Sequence, residues 1–315
     1  MSTRESVLAA LRREPGGLSG ELLASELGVS RVAVSKHVSA LRSEGYEIDA
    51  RAGEGYRLVS SPDEATPAEV APLVGSGFWT RFDGGRVLPS TNDRARELAR
   101  EGAEEGTVVL AASQSAGRGR LGRTWESPGG GVYCSMVLRP TIAPAQAGPL
   151  ALVVGLGVAR GLATLDAEPM LKWPNDVWLQ GRKVAGILLE MSAEHDRIDW
   201  IVAGVGLNVD TPQDLPGAAG LRETVPGCRA AVAAAAMLDG VASAYADWRR
   251  VGFAGLAEEY AGLDALAGEA VTVSTATGEV LASGVARGVD PEGRLLVLDG
   301  DTTVPVFAGE VTLRT

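Results

Sequence analysis

The sequence predicts a multidomain α+β protein, and three observations predict it. The first 60 residues carry a helical apolar periodicity that gives way to strand-like alternation. The middle of the chain interleaves strand-like runs with two long helical stretches, and from Val271 onward short strands alternate with glycine-containing turns. At 315 residues the chain is long enough for roughly two or three domains, each burying its own core.

Val7, Leu8 and Leu11 give residues 5–14 one apolar face, so a short helix opens the chain, and Pro15-Gly16-Gly17 breaks it. A second helix is expected over residues 19–27. Gly28-Val29-Ser30 turns the chain, and Ser30 caps a third helix in which Val34, Val38 and Leu41 share a face at i, i+4 and i+7. Val32, Ser35, Lys36, Ser39 and Arg42 then face away from it. Two helices joined by a glycine turn, the second with small, polar and basic residues outward, make a helix-turn-helix. Residues 46–58 alternate around Gly53-Glu54-Gly55, giving the hairpin of a wing. On this reading Arg31, Ser35, Lys36, Ser39 and Arg42 are the candidate DNA contacts. A three-helix packing module that touches no DNA would carry the same pattern.

Ser60-Ser61-Pro62-Asp63-Glu64-Ala65-Thr66-Pro67 reads as linker, so the first domain is placed at 1–60. Beyond it, Val87-Leu88-Pro89 leads into Ser90-Thr91-Asn92-Asp93, which starts a helix with Ala95, Leu98 and Ala99 on its apolar side. Strands are expected at 107–113, 131–139, 169–173, 176–180, 183–192 and 199–209, and helices at 145–165 and 229–248. Several of the turns are very short, which makes the sheet at least partly antiparallel and the second domain, 61–267, α+β. Residues 262–268 break the pattern. The third domain, 268–315, turns at Thr277-Gly278 and Pro291-Glu292-Gly293, as a small closed barrel would.

Composition narrows the function. Hydrophobic residues make up 45% and charged residues 22%, ordinary values for a soluble protein, and the net charge of −11 argues against a protein that coats nucleic acid by bulk attraction. Residues 1–60 hold eight Lys/Arg and eight Asp/Glu, so the excess negative charge lies entirely after them. Cys134 and Cys228, with His37 and His195, form no metal-ligand pattern and argue against a zinc site. No apolar run follows Met1-Ser2-Thr3-Arg4-Glu5, and the longest one, residues 149–159, is too short to cross a bilayer. The chain reads as cytoplasmic, with no membrane partner.

Two stretches carry the chemistry. Ser113-Gln114-Ser115-Ala116-Gly117-Arg118-Gly119-Arg120-Leu121-Gly122-Arg123-Thr124-Trp125 alternates glycine with arginine directly after an apolar run. Glycine lets such a loop lie close against a ligand, and arginine's planar fork suits carboxylate and phosphate oxygens. A mobile cationic cover over an anion fits, as does a basic loop for nucleic acid or a solvated tip. A Walker A loop does not fit, because no Gly-Lys-Ser/Thr follows. The second stretch, Leu171-Lys172-Trp173-Pro174-Asn175-Asp176-Val177-Trp178, is followed by Gly181-Arg182-Lys183-Val184-Ala185-Gly186-Ile187-Leu188-Leu189-Glu190. Of 29 Lys plus Arg only three are lysine, Lys36, Lys172 and Lys183, and two of those sit here. A lysine kept in an arginine-using chain suggests a need for a compact point charge. Asn175 and Asp176 also read as ordinary turn residues.

Together with Gly204-Val205-Gly206-Leu207-Asn208-Val209, these segments resemble the biotin–protein ligases, and the N-terminal region resembles the DNA-binding domain of the bifunctional members, which also repress biotin synthesis genes. The resemblance runs from about residue 8 to residue 313, with four motifs in order. It implies an N-terminal winged helix-turn-helix, a central α+β ligase domain with a mixed sheet, and a C-terminal SH3-like β-barrel. It also implies a two-step reaction: biotin and ATP give biotinyl-5′-AMP and pyrophosphate, then a lysine of a biotin carboxyl carrier protein of acetyl-CoA carboxylase displaces AMP. Both steps put negative charge on oxygen, so fixed positive charge is the main requirement. Lys183 is expected to touch both the biotin carbonyl and the phosphate. Arg118, Arg120 and Arg123 are expected to close over the adenylate and exclude water, with Gly117, Gly119 and Gly122 as hinges. Ser90, Thr91 and Asn92 would hold the ureido end of biotin, with Gln114, Gly119 and Gly186 beside it. Trp125 would stack on adenine, while Lys172, Asn175 and Asn208 would contact the nucleotide, and Asp176 would orient or deprotonate the attacking amine. Mg²⁺ is expected with ATP, although no carboxylate cluster marks its ligands. The family's further implications are operator DNA as a partner and a homodimer when the adenylate is bound. A lipoyl or octanoyl ligase of related fold and a ligand-sensing regulator without catalysis are the alternatives. The complete Gly-Arg loop and Lys183 argue against the regulator.

Overall fold

In the first unit, residues 1–63, three helices enclose a small apolar centre: α1 (Thr3–Arg13), α2 (Gly20–Leu27) and α3 (Arg31–Ser43). The computed structural model describes residues 3–51, 55–194, 196–213 and 215–314. Val7, Leu11, Leu23, Val34, Val38 and Leu41 are all at most 2% exposed, so the helical periodicity of the sequence is the packing face. Ser19 Oγ accepts from Leu22 N and Ser30 Oγ from Ala33 N, each at 3.1 Å, and each such cap stabilises its helix by about 1 kcal/mol. The helices lead into an antiparallel hairpin, β1 (Glu47–Arg51) and β2 (Gly55–Ser60). The turn at Ala52-Gly53-Glu54 lies outside the described residues.

The second unit, residues 64–315, is described by itself. Ala65 and Thr66 are already buried, because they enter α4 (Pro67–Val70), so only part of the 60–67 stretch behaves as linker. In chain order there follow β3 (Arg81–Leu88), α5 (Thr91–Arg100), β4 (Thr107–Gln114), β5 (Gly131–Leu138), α6 (Leu150–Ala163), β6 (Met170–Lys172), β7 (Asp176–Leu179), β8 (Arg182–Glu194), β9 (Arg197–Asn208), α7 (Ala230–Val251) and α8 (Ala257–Gly262). The strands form one sheet in the order β3-β4-β5-β9-β8-β7-β6. It is mixed: β3 runs parallel to β4, and every other neighbouring pair is antiparallel. Alternation sorts the residues onto two faces. Val109, Val137, Trp200 and Val202 meet Ala95, Leu98 and Ala99 of α5. Val108, Leu110, Cys134, Met136, Ala203 and Val205 point the other way, into the core shared with α6 and α7.

The continuous helix expected at 145–165 is broken. A 3₁₀ turn, Pro144–Ala147, ends at Gly148-Pro149, and α6 starts at Leu150, because proline cannot continue a helix through its missing N–H. The Pro144–Ala163 stretch is long and apolar enough to span a membrane by length and composition, yet 72% of its apolar 18-residue window is buried, in the core shared with the sheet and α7. A helix apolar all round is a core helix here.

The chain ends in β10 (Ala270–Ser274), β11 (Val280–Val289), β12 (Leu295–Asp299), β13 (Thr302–Val306) and β14 (Glu310–Leu313), an antiparallel sheet ordered β13-β12-β11-β10-β14. Val271, Val273, Ala286, Leu295 and Val297 are fully buried beneath it. The turns at Thr277-Gly278 and Pro291-Glu292-Gly293 fall where the sequence places them. This small β-domain brings β14 to the edge of the cavity described next.

Candidate active site

The site begins with a patch that carries no side chains. Gly186 on β8 lies opposite Gly206 on β9, and Gly204 lies two pairs further along on the same face, opposite Leu188. A Cβ at Gly204 would sit 2.0 Å from Asn92 Oδ1, and one at Gly206 would sit 2.4 Å from Trp125 Cε2. Only glycine leaves the floor open to a close approach. A cavity of about 580 Å³ lies over it, large enough for a small ligand.

At one end the lining is neutral and polar. Ser90 caps α5, its Oγ accepting from Asp93 N at 3.3 Å, and this places Thr91 and Asn92 at the helix start. All three are buried. Thr91 N and Oγ1 donate to Gln114 Oε1 at 2.7 and 3.1 Å, while Gln114 Nε2 donates to Ser127 Oγ at 2.9 Å. Ser135 Oγ lies 2.6 Å from Asn92 Oδ1 and 2.8 Å from Thr91 Oγ1, and its one hydrogen serves one of them at a time. Such a network offers both donors and acceptors to a neutral polar head group.

Cations gather at the other end. Lys183 Nζ lies 2.6 Å from Asp176 Oδ1, a charge–charge contact rather than an aligned hydrogen bond, and 5.1 Å from the centroid of the Trp125 ring. The Pro174-Asn175-Asp176 turn follows a cis Trp173–Pro174 peptide, and Asn175 Nδ2 pins it to β8 by donating to Ile187 O at 2.7 Å. Asn175 Oδ1 accepts from Arg120 Nη1 at 2.8 Å. Burial pulls the Arg120 guanidinium below its usual range, partly offset by the negative charges of Asp176 and Glu310. Lys172 is lowered chiefly by burial as well; Asp176 opposes the shift and the neighbouring Lys183 adds to it. Cations that burial penalises are cations a bound anion would stabilise.

The glycine–arginine loop is folded into a flap. Gly119 N donates to Arg123 O at 2.7 Å, and Trp125 N donates to Gly117 O at 3.0 Å. Gly117 serves close packing more than hinging, since a Cβ there would lie 2.3 Å from Trp125 O. Arg123 reaches the small β-domain and pairs with Glu310. Arg118 turns to the polar end instead, where its Nη2 lies 2.7 Å from Glu190 Oε2 and 2.9 Å from Asp93 Oδ1.

Every residue that the sequence assigns to biotin, nucleotide or catalysis lines this one cavity: Ser90, Thr91, Asn92, Gln114, Arg118, Gly119, Arg120, Arg123, Trp125, Lys172, Asn175, Asp176, Lys183, Gly186 and Asn208. Sequence reasoning gave no role to Glu190, Asp93 or Ser135, nor to Glu310 and Thr312 at the rim. Glu190, Ser135 and Glu310 meet their partners far away in the chain, so no local spacing marks them. Among the described residues no three His, Cys, Asp or Glu side chains converge to hold a metal ion, and Asp176 is already engaged by Lys183. In the first unit, Arg31, Ser35, Lys36, Ser39 and Arg42 are exposed on α3. Arg42 Nε also donates to Ile48 O at 2.9 Å, which ties α3 to the wing.

A mixed sheet with a neutral polar pocket at one end of a cavity and a cationic flap at the other defines a protein that grips a small molecule with a polar head and an anionic tail. Residues 84–208 match the profile of the biotin/lipoate A/B protein ligase family, residues 267–314 that of the biotin protein ligase C-terminal domain, and residues 3–57 an HTH domain. The bifunctional ligase/repressor BirA of Escherichia coli is 33% identical over 312 residues, covering 94% of this chain and 92% of its own. BirA of Bacillus subtilis is 41% identical over 207 residues, or 63% of this chain, and the alignment spans only 62% of that relative's length. The biotin protein ligase of Aquifex aeolicus, solved with biotin and ATP, superposes with a TM-score of 0.64 at 28% identity, over 75% of this chain and 99% of its own. The chain belongs to the biotin protein ligase family.

Proposed function

We propose that this protein activates biotin with ATP and transfers it to a lysine of a biotin carboxyl carrier protein, and that it also represses biotin synthesis genes through its N-terminal unit. The observation that carries the ligase reading is the convergence of the Lys183–Asp176 pair, Arg120 and the polar Ser90-Thr91-Asn92 pocket on one cavity. In the first step a biotin carboxylate oxygen bonds to the α-phosphorus of ATP, and the bond to pyrophosphate breaks. Lys183 carries the charge that develops on the carbonyl and phosphate oxygens, and Asp176 holds its ammonium in place. In the second step the neutral amine of the acceptor lysine bonds to the carbonyl carbon, AMP leaves, and the amine releases its proton. Asp176, the carboxylate beside Lys183, would orient that amine or take its proton. Arg118, Arg120, Arg123 and Trp125 close the flap and keep water from the mixed anhydride. Mg²⁺ would arrive with the triphosphate, since no three His, Cys, Asp or Glu side chains converge to cage it among the described residues.

The division into 1–60, 61–267 and 268–315 assigns DNA reading, catalysis and a capping β-domain. The match of residues 267–314 to the biotin ligase C-terminal domain favours biotin over a lipoyl or octanoyl substrate. A single DNA module with eight cationic and eight acidic residues has no net attraction for phosphate, so useful affinity calls for two copies, a homodimer formed with adenylate bound. The working compartment would be the cytoplasm. The test is incubation with biotin, ATP and a carrier domain, followed by intact-mass spectrometry. One biotinyl group on the carrier is expected, and none on a carrier whose acceptor lysine is changed to arginine. An unmodified carrier would overturn the reading.

A further inference from the structure

Four charged side chains meet where the flap joins the polar pocket, and none of them is needed to build the fold's core. Glu190, at the outer part of β8, accepts from three groups. Arg118 Nη2 of the flap lies 2.7 Å from its Oε2, Asn92 Nδ2 of the polar pocket lies 2.9 Å from the same oxygen, and Arg96 Nη1 of α5 lies 3.1 Å from Oε1. Asp93, also on α5, accepts from Arg96 and lies 2.9 Å from Arg118 Nη2. The cluster is charge-balanced and only partly open to water, with side-chain exposures of 36% for Arg118, 21% for Glu190, 27% for Arg96 and 39% for Asp93. It holds both arginines by their tips, leaving each Nε buried without a partner among the described residues.

One oxygen of Glu190 thus joins a residue that meets the ligand's head to a residue of the flap that covers its tail. From this geometry we infer that Glu190 is a positioning residue that couples occupation of the polar pocket to closure of the flap. Asn92 is fixed from the other side by Ser135, at 2.6 Å, so a ligand that orders Asn92 orders Glu190 with it. Glu190 in turn sets where Arg118 rests, and with Arg118 the start of the folded flap. Asp93 serves as the second anchor of Arg118 and keeps Arg96 from competing for it.

The inference rests on the ligase reading, and the experiment separates the two. The protein is loaded with biotin and ATP, and release of biotinyl-5′-AMP is followed after gel filtration in the parent, Glu190→Gln, Arg118→Ala and the double variant. Glutamine keeps the shape and the acceptor but removes the charge. Release is expected to accelerate about tenfold in each single variant, the size of one lost charge-assisted contact at a partly exposed site. The double variant is expected to release no faster than either single one, because both changes open the same latch. In Glu190→Gln the KM for biotin should rise while kcat for pyrophosphate exchange stays within about threefold, a split that a merely structural carboxylate would not produce. Asp93→Asn, on the more exposed anchor, should shift release in the same direction, and it serves if Glu190→Gln does not fold. Unchanged release in Glu190→Gln, or additive acceleration in the double variant, would overturn the coupling. A parent that makes no adenylate would overturn the ligase reading and the coupling with it.

Discussion

Replacing Lys183 by arginine keeps the charge and changes its shape, which makes it the sharpest probe of the cationic end. Lys183 Nζ sits 2.6 Å from Asp176 Oδ1 and 5.1 Å from the Trp125 ring centroid, a slot that fits a compact ammonium. A guanidinium spreads its charge over a planar fork and still pairs with Asp176, so folding stability should change by no more than about 1 kcal/mol. The reacting oxygens are another matter. Losing one preorganised donor at a developing oxyanion costs about 10²–10³ in kcat, roughly 2.7–4 kcal/mol. Lys183 keeps 33% of its side chain exposed, so the lower end, about a hundredfold, is the expected loss. The assay is biotin-dependent pyrophosphate exchange at saturating biotin and ATP, with a thermal melt of the same preparation. A normal melt with exchange within about threefold of the parent would refute the role of the point charge.

Arg120→Gly removes a half-buried cation and its 2.8 Å contact with Asn175, so adenylate should form but escape about tenfold faster. Biotin on a bystander protein in the same tube would record the leak, and a bystander labelled no more than with the parent would speak against the flap. Gly204→Ala would bring a Cβ to 2.0 Å from Asn92 Oδ1 and push Asn92 off Ser135 and Glu190, raising the KM for biotin by about tenfold or more with little change in that for ATP. An unaltered affinity in isothermal titration with biotin alone would contradict this placement. A protein beginning at Pro62 should keep pyrophosphate exchange and lose promoter binding in a mobility-shift titration, because every cavity-lining residue lies in the second unit. Lys36→Ala, on the exposed face of α3, should weaken the shift without touching ligation, and an unchanged shift would place DNA contact elsewhere.

Elements with strong local signals were legible in the sequence. Ser30 and the Val34-Val38-Leu41 face specify α3, and the largely apolar runs in 107–113 and 199–209 specify the central strands, because each signal lies within one element. The β3 strand was not legible: Arg81–Leu88 is an edge strand with two glycines and little buried surface, so it shows no alternation. Gly84 there has φ +124°, and a Cβ would lie 1.9 Å from Leu110 O, a close approach that depends on β4 alone. The same division holds at the site. Lys183, Asn175 and the arginines stood out by residue type and by resemblance, whereas Glu190 meets Asn92 across 98 positions and Glu310 meets Arg123 across 187. Contacts of that kind are created by the sheet order, not by spacing.

The claim that stands behind all of these is that the cavity adenylates biotin. Labelled pyrophosphate exchange into ATP, with biotin, lipoate or octanoate offered in turn to the purified full-length protein, tests it most directly. Exchange that depends on biotin and stays at background with the other two acids is the expected result. Exchange with lipoate or octanoate in preference to biotin, or with none of the three, would contradict the account.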